Sequence, residues 1–166
     1  MVQKMGNELS PERKAQIAEL IQHETALLNK GDLDSWMNLF TDDGYYWMPL
    51  EAEQASPDEH DSLIYDNRAL MEMRRDNLGH FLSPSMQVPV RSVRILGDLS
   101  YQDSPAVSGA VEVSTSVIAV IYHRRQDTFA GNVTYTVLGQ NNPKIFRKRV
   151  DLINADGELD AIMMYI

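Results

Sequence analysis

The sequence predicts an α+β fold in which N-terminal helices pack on a strongly curved, mostly antiparallel β-sheet that closes as a cone. Three observations carry this. Residues 27–50 pass through a helix end at Gly31, a short helix, the acidic run Thr41-Asp42-Asp43-Gly44 and the aromatic run Tyr45-Tyr46-Trp47-Met48 before Pro49. That order of helix, helix, turn and strand is how such cones begin. Toward residue 90 the apolar period falls from 3.6 to 2. Helices also precede strands instead of alternating with them, which separates α+β from α/β.

Residues 1–9 carry no periodic signal and are expected to be a flexible N-terminus ahead of one domain over 10–166. Ser10 is a good helix cap, Pro11 suits the first helical position, and Glu12 suits the positive helix end. Ile17, Leu20, Ile21, Leu27 and Leu28 keep the helical period up to Gly31, which closes the helix. Asp32 or Asp34 opens a short helix with Leu33, Trp36, Met37 and Phe40 on one face. Thr41–Gly44 is expected to turn the chain into an extended aromatic strand. Residues 51–61 form a polar loop. A helix fits Asp66 to about Leu78, with Gly79 as its stop.

Val90–Leu96 reads as a strand. Ala110–Tyr122 reads as the longest one. Its odd positions from Val111 to Ile121 make a continuous apolar face apart from Thr115. Its even positions turn from polar (Glu112, Ser114, Ser116) to apolar (Ile118, Val120, Tyr122). A strand buried on both faces is central or covered by another subunit. Phe129–Leu138 and Lys144–Ile153 supply two more strands around the turn Asn141-Asn142-Pro143.

The chain has 166 residues, 43% hydrophobic and 23% charged, ordinary for one domain with a real core. No apolar run approaches the roughly 20 residues that span a bilayer, so no membrane association is expected. There is no cysteine. Disulfides, thiolate catalysis and cysteine-held iron–sulfur clusters are therefore excluded on this chain. Residues 1–62 hold 13 Asp and Glu against 4 Lys and Arg, which is the whole of the net charge of −9, while residues 63–166 hold 11 of each. An acidic first third argues against nucleic-acid binding, which needs clustered cations.

His23, His60, His80 and His123 lack metal-ligand spacing, and no H-x-x-x-H, G-x-S-x-G, phosphate-loop or dinucleotide pattern occurs. One cluster has the residue types for acid–base work: Asp42 and Asp43 beside Tyr45 and Tyr46. A carboxylate at the mouth of an apolar cone can act as a base, and a tyrosine hydroxyl can stabilise an oxyanion. The same residues equally make a turn through Asx hydrogen bonds and line a core. Arg91 and Arg94, Arg124-Arg125 and Arg147-Lys148-Arg149 place cations on strands, suited to pairing with carboxylates at interfaces.

Five short motifs in order resemble the small (beta) subunit of aromatic-ring-hydroxylating dioxygenases over residues 15–166. They are Leu27-Leu28 with Trp36, Asp43-Gly44-Tyr45-Tyr46 and Pro49; Ile64-Tyr65-Asp66-Asn67-Arg68-Ala69-Leu70 with Arg74 or Arg75 and Leu78; Pro89, Arg91 and Arg94; Phe129-Ala130-Gly131; and Arg149-Val150-Asp151-Leu152. The resemblance implies a cystatin/NTF2-like (SnoaL-like) cone, shared with ketosteroid isomerase and scytalone dehydratase. It implies a cytoplasmic homotrimer bound to alpha subunits that hold the Rieske [2Fe-2S] cluster and the mononuclear iron. The complex would insert both atoms of dioxygen into an aromatic ring at the expense of NAD(P)H. This chain would then carry no catalytic, cofactor or metal residue. The alternatives are a stand-alone cone-fold isomerase, cyclase or dehydratase using Asp42 or Asp43 with a tyrosine, or a small-ligand binding module.

Two further expectations follow. The aromatic load of Trp36, Phe40, Tyr45, Tyr46 and Trp47 should fill the cone. The apolar tail Ala161–Ile166, with Ile118 and Val120, should lie on the outer face of the sheet and mediate self-association, since monomers rarely expose large apolar patches.

Overall fold

The computed structural model describes residues 9–81, 89–159 and 161–166. Helix α1 spans Pro11–Lys30. The Ser10 hydroxyl accepts the Arg13 amide at 3.2 Å. At the other end Gly31 takes a left-handed φ of 73°, and the Gly31 and Asp32 amides return to the Leu28 and Leu27 carbonyls. Only glycine enters that conformation without strain. Helix α2, Leu33–Met37, is capped by the Asp32 carboxylate on the Ser35 amide at 3.0 Å and buries Leu33, Trp36 and Met37. The expected flexible stretch lies outside the described residues except Leu9, which packs against the core.

Among the described residues seven strands follow: β1 (Phe40–Pro49), β2 (Ser62–Asn67), β3 (Arg91–Leu96), β4 (Ser100–Asp103), β5 (Val111–His123), β6 (Arg125–Leu138) and β7 (Lys144–Leu152), with helix α3 (Arg68–Phe81) after β2. They form one sheet in the order β2-β1-β7-β6-β5-β3, with β4 also on β5. Of these described strands only β1 and β7 pair in parallel. Helix α1 lies against β3, and α3 lies against β2 and β1. Together with α2 they cover the inner face, where the core collects.

The structure departs from the sequence reading at several points. Thr41–Gly44 does not turn the chain. The turn lies earlier, at Asn38-Leu39, and Thr41–Gly44 form an irregular part of β1. There Phe40 faces Ile145 and Tyr45 faces Arg147, so four residues of β1 span one of β7. Gly44 is needed because a Cβ would come within 2.9 Å of the Ile145 carbonyl oxygen. Residues 62–67 form a strand that helical spacing had concealed. Asp66 belongs to that strand, α3 begins at Arg68, and the helix passes through Gly79 to Phe81. Strand β4 has only four residues and no strong alternation. Strand β6, not β5, is the longest, because the hairpin turns on Arg124 alone, at φ 66°, and pairing starts at His123 with Arg125.

The largest departure is the tail. Met164, Tyr165 and Ile166 are buried inside the cone and do not lie on the outer face. They pack into the core cluster on the concave side, so burial there removes their surface from water without a second chain.

Candidate functional site

The inner face of a cone is where a ligand or reaction would be housed, and here it is both polar and closed. Alternation along β1 sends Tyr46 inward and Tyr45 outward. The Tyr45 ring packs edge-on against Tyr65 and Phe146, with ring centres 5.5 and 5.7 Å away. Asp42 and Asp43 are exposed on the irregular part of β1. Of the four acid–base candidates, Tyr46 alone reaches the interior. His23 and His60 are exposed and His123 is half-buried at the end of β5. His80 sits inside α3 instead of past its end, and its side chain lies outside the described residues.

The interior carboxylate is instead Glu24, on the apolar face of α1 and fully buried. One oxygen accepts the Trp36 indole N–H and the Lys148 Nζ, each at 2.7 Å; the other accepts the Tyr135 hydroxyl at 3.1 Å. Two isolated charges would not survive at this depth, but here the ammonium is paired with the carboxylate and flanked by the Tyr46 and Tyr135 rings, 5.9 and 5.4 Å from their centres. Lys148 comes inward because β7 carries one extra residue: Thr136 faces Arg147 and Val137 faces Ile145. That places both Ile145 and Lys148 on the buried side.

A second cluster joins it. Arg74 on α3 donates to Asp66 of β2 at 2.6 and 3.3 Å, and Asp66 also accepts the Tyr165 hydroxyl at 2.6 Å. Tyr165 stacks on Trp36, with ring centres 4.5 Å apart at 22°, and leans on Tyr46 at 4.7 Å. Arg94, read from sequence as an interface cation, is buried. It bonds Asn29 at 3.1 Å, Ser92 at 2.9 Å and the Tyr165 carbonyl.

Electrostatics follow burial. Desolvation raises the Tyr46, Tyr135 and Tyr165 hydroxyls above the usual tyrosine value; the carboxylates Glu24 (for Tyr135) and Asp66 (for Tyr165) add to it. Desolvation lowers Lys148, with Glu24 opposing, and lowers Arg94 in the same way.

Sequence reasoning passed over Glu24 and Tyr135, carried Asp66 only as a helix start within a family motif, and expected Lys148 at an interface and Tyr165 on the outer face. Glu24 had a signal, since it falls on the periodic face of Ile17, Leu20, Ile21, Leu27 and Leu28. Lys148 had none, because the extra residue in β7 exists only in the pairing. The interior has acids, a base and hydroxyls, but Tyr165 occupies the space where a substrate would sit.

On the outer face, the Arg149 guanidinium lies 4.5 Å over the Trp47 ring and donates to the Gln54 and Ala52 carbonyls at 2.6 and 2.7 Å. Arg147 pairs with Glu112 at 3.1 Å. These cations serve contacts within the chain. Farther along, Val93, Ile95 and Ile118 are 52, 67 and 50% exposed. Ile95 faces Ile118, Val93 faces Val120 and Ile118 faces Ala130 across β3, β5 and β6. The result is a continuous apolar stripe. Among the described residues no group of three His, Asp or Glu side chains could hold a metal ion, and no helix is long and apolar enough to cross a membrane. With no cysteine either, the donor set does not fit a Rieske cluster or a mononuclear iron.

Residues 23–156 match the family described as "Ring hydroxylating beta subunit". No curated protein matches the sequence. Among solved structures, the beta subunit of the benzoate 1,2-dioxygenase from Burkholderia mallei superposes with a TM-score of 0.71 at 22% identity, over 91% of this chain and 96% of that one. Naphthalene 1,2-dioxygenase with indole in its active site gives a TM-score of 0.75 at 16% identity, over 96% and 89%. The beta subunit of an aromatic-ring-hydroxylating dioxygenase from Novosphingobium aromaticivorans gives a TM-score of 0.68 at 13% identity, over 93% and 96%. At these identities the structures speak for the fold: the α+β cone expected from sequence.

Proposed function

The chain belongs to the ring-hydroxylating beta subunit family, and from that premise we propose that it is a non-catalytic subunit that trimerises through the outer face of its sheet. Beta subunits of this family pair with alpha subunits, and the Rieske cluster and iron belong to the alpha subunit. The proposal adds that no residue of this chain takes part in the chemistry and that the complex works in the cytoplasm on an aromatic ring. The domain division, one unit over 10–166, is part of the same reading.

The observation that carries it is the apolar stripe Val93–Ile95–Ile118. It lies on the side of the sheet that the helices do not cover, and three large aliphatic residues half exposed side by side favour a protein contact. The symmetry of the partner complex would repeat one such contact about an axis. A stand-alone enzyme would need an open cone, whereas Tyr165 and Ile166 fill this one.

Light scattering on the purified chain at micromolar concentration tests the assembly. A mass near three chains is expected, with Ile118→Arg reducing it to one while far-UV circular dichroism is unchanged. A monomeric wild-type chain overturns the trimer. Metal analysis tests the division of labour: about one tightly bound iron or zinc per chain would refute it.

A further inference from the structure

We propose that the interior of the cone is a binding site for a phenolic ring, filled in this chain by its own Tyr165. The site has every element that recognises such a ring. Trp36 stacks on one face at 4.5 Å. Tyr46 tilts against it at 4.7 Å. Asp66 accepts the hydroxyl at 2.6 Å. The Arg74 guanidinium lies 5.5 Å from the ring centre and holds Asp66 in place as an acceptor. A stacked aromatic, a buried carboxylate aimed at the hydroxyl and a nearby cation select a phenol over a plain arene.

The tail is held as a ligand is held. It belongs to no strand, and among the described residues no backbone–backbone hydrogen bond involves residues 161–166. Its bonds run to side chains instead: Arg94 to the Tyr165 carbonyl, the Ile166 amide to the Tyr46 hydroxyl at 3.3 Å, and the Tyr165 hydroxyl to Asp66. A route to the site exists as well. A groove of about 440 Å³ is lined by Leu70, Arg74 and Asp66 on one side and by Ala161–Met163 on the other. Asp66 is shared between the groove and the Tyr165 site, so withdrawal of the tail merges the two into one cavity opening beside α3.

The ligand class is a para-substituted phenol, because the tyrosine side chain is itself one. In the intact chain the tail competes at the millimolar effective concentration of a short tether, so an external phenol binds weakly.

The test is calorimetry and thermal denaturation of Tyr165→Gly with p-cresol, which reproduces the missing side chain, and with toluene, which lacks the hydroxyl. One p-cresol per chain is expected, about tenfold or more tighter than toluene and about a hundredfold tighter than to the intact chain, with a matching rise in Tm. Equal affinity for the two compounds overturns the proposal, as does equal binding of p-cresol to the intact chain. If Tyr165→Gly does not fold alone, it is refolded in p-cresol. Recovery of the native circular dichroism supports the site, and failure to recover it overturns it.

Discussion

Glu24 and Lys148 lie 124 positions apart in sequence and 2.7 Å apart in space. Both are fully buried, so their value rests on mutual completion and not on salt-bridge strength. Lys148→Met should destabilise by about 3–5 kcal/mol, because it leaves the Glu24 carboxylate buried without its countercharge. Glu24→Gln combined with Lys148→Met should recover most of that loss, since the amide oxygen can still accept the Trp36 N–H while the amide NH2 donates to the Tyr135 hydroxyl, which turns to accept. Urea denaturation of the two single variants and the double one measures this. The buried tyrosines predict alkaline unfolding. Tyr46, Tyr135 and Tyr165 have folded pKa values raised above 10. Their contribution is fully present below about pH 10, where the unfolded side chains begin to ionise, and is lost as pH climbs toward the folded values. Lys148, lowered from 10.5, has the opposite sign: stability is gained as pH rises from its folded value to about 10.5 and changes no further above that. Above pH 10.5 the tyrosines therefore dominate. Each should contribute a loss of about 1.4 kcal/mol per pH unit, and Tyr135→Phe should remove one such share from the slope of stability against pH.

Among the elements, close backbone approaches decide which strand positions tolerate change. At Gly131 an added Cβ would come within 2.3 Å of the Asp151 carbonyl oxygen in the neighbouring strand. Backbone cannot swing aside as a side-chain tip can, so Gly131→Ala should cost about 2–3 kcal/mol by overpacking. Thermal denaturation would read this as a clear fall in Tm. Asp43→Asn should shift stability by no more than about 0.5 kcal/mol, because the side chain is exposed on the irregular stretch of β1. The same irregularity explains why its sequence resembled a turn. Asp42-Asp43-Gly44 is turn chemistry, used here to insert extra residues into β1 before its pairing with β7 resumes at Tyr45. The phase slip in β7 likewise turns a polar strand inward at Lys148. Such slips bend strands and re-aim side chains.

For the whole molecule, the inner face is filled by the chain itself while the outer face is left apolar at Val93, Ile95 and Ile118. Association through that stripe links stability to concentration. The Tm of the wild-type chain should rise between about 1 and 100 µM, a range that brackets micromolar affinity, and the Tm of Ile118→Arg should not. A Tm independent of concentration in both would place the stripe outside any self-contact. The charge is also divided between the parts of the chain: the first 62 residues carry all of the net −9. That leaves the strand-rich remainder near neutral, which suits self-contact through the sheet better than a uniformly acidic surface would.

Local signals were legible in the sequence because their physics is completed within a turn or a strand. The Ser10 cap, the left-handed Gly31, the face of β5 from Val111 to Ile121 and the aromatic strand after Gly44 each need only their neighbours. The absence of cysteine ruled out a Rieske site here at the level of composition, and five ordered motifs carried the family. Tertiary structure alone decided the rest. Lysine 148 in a strand looks the same whether it faces water or a carboxylate, until β6 and β7 pair with one residue out of phase and α1 brings Glu24 over it. Asp66 had the environment of a helix start until β2 paired with β1. The tail is apolar throughout, so no alternation told which side of the sheet it would take. Only closure of the cone created a space with Trp36 and Tyr46 at its walls and the Arg74-paired Asp66 at its rim, and Tyr165 fits that space because it brings both an aromatic face and a hydroxyl.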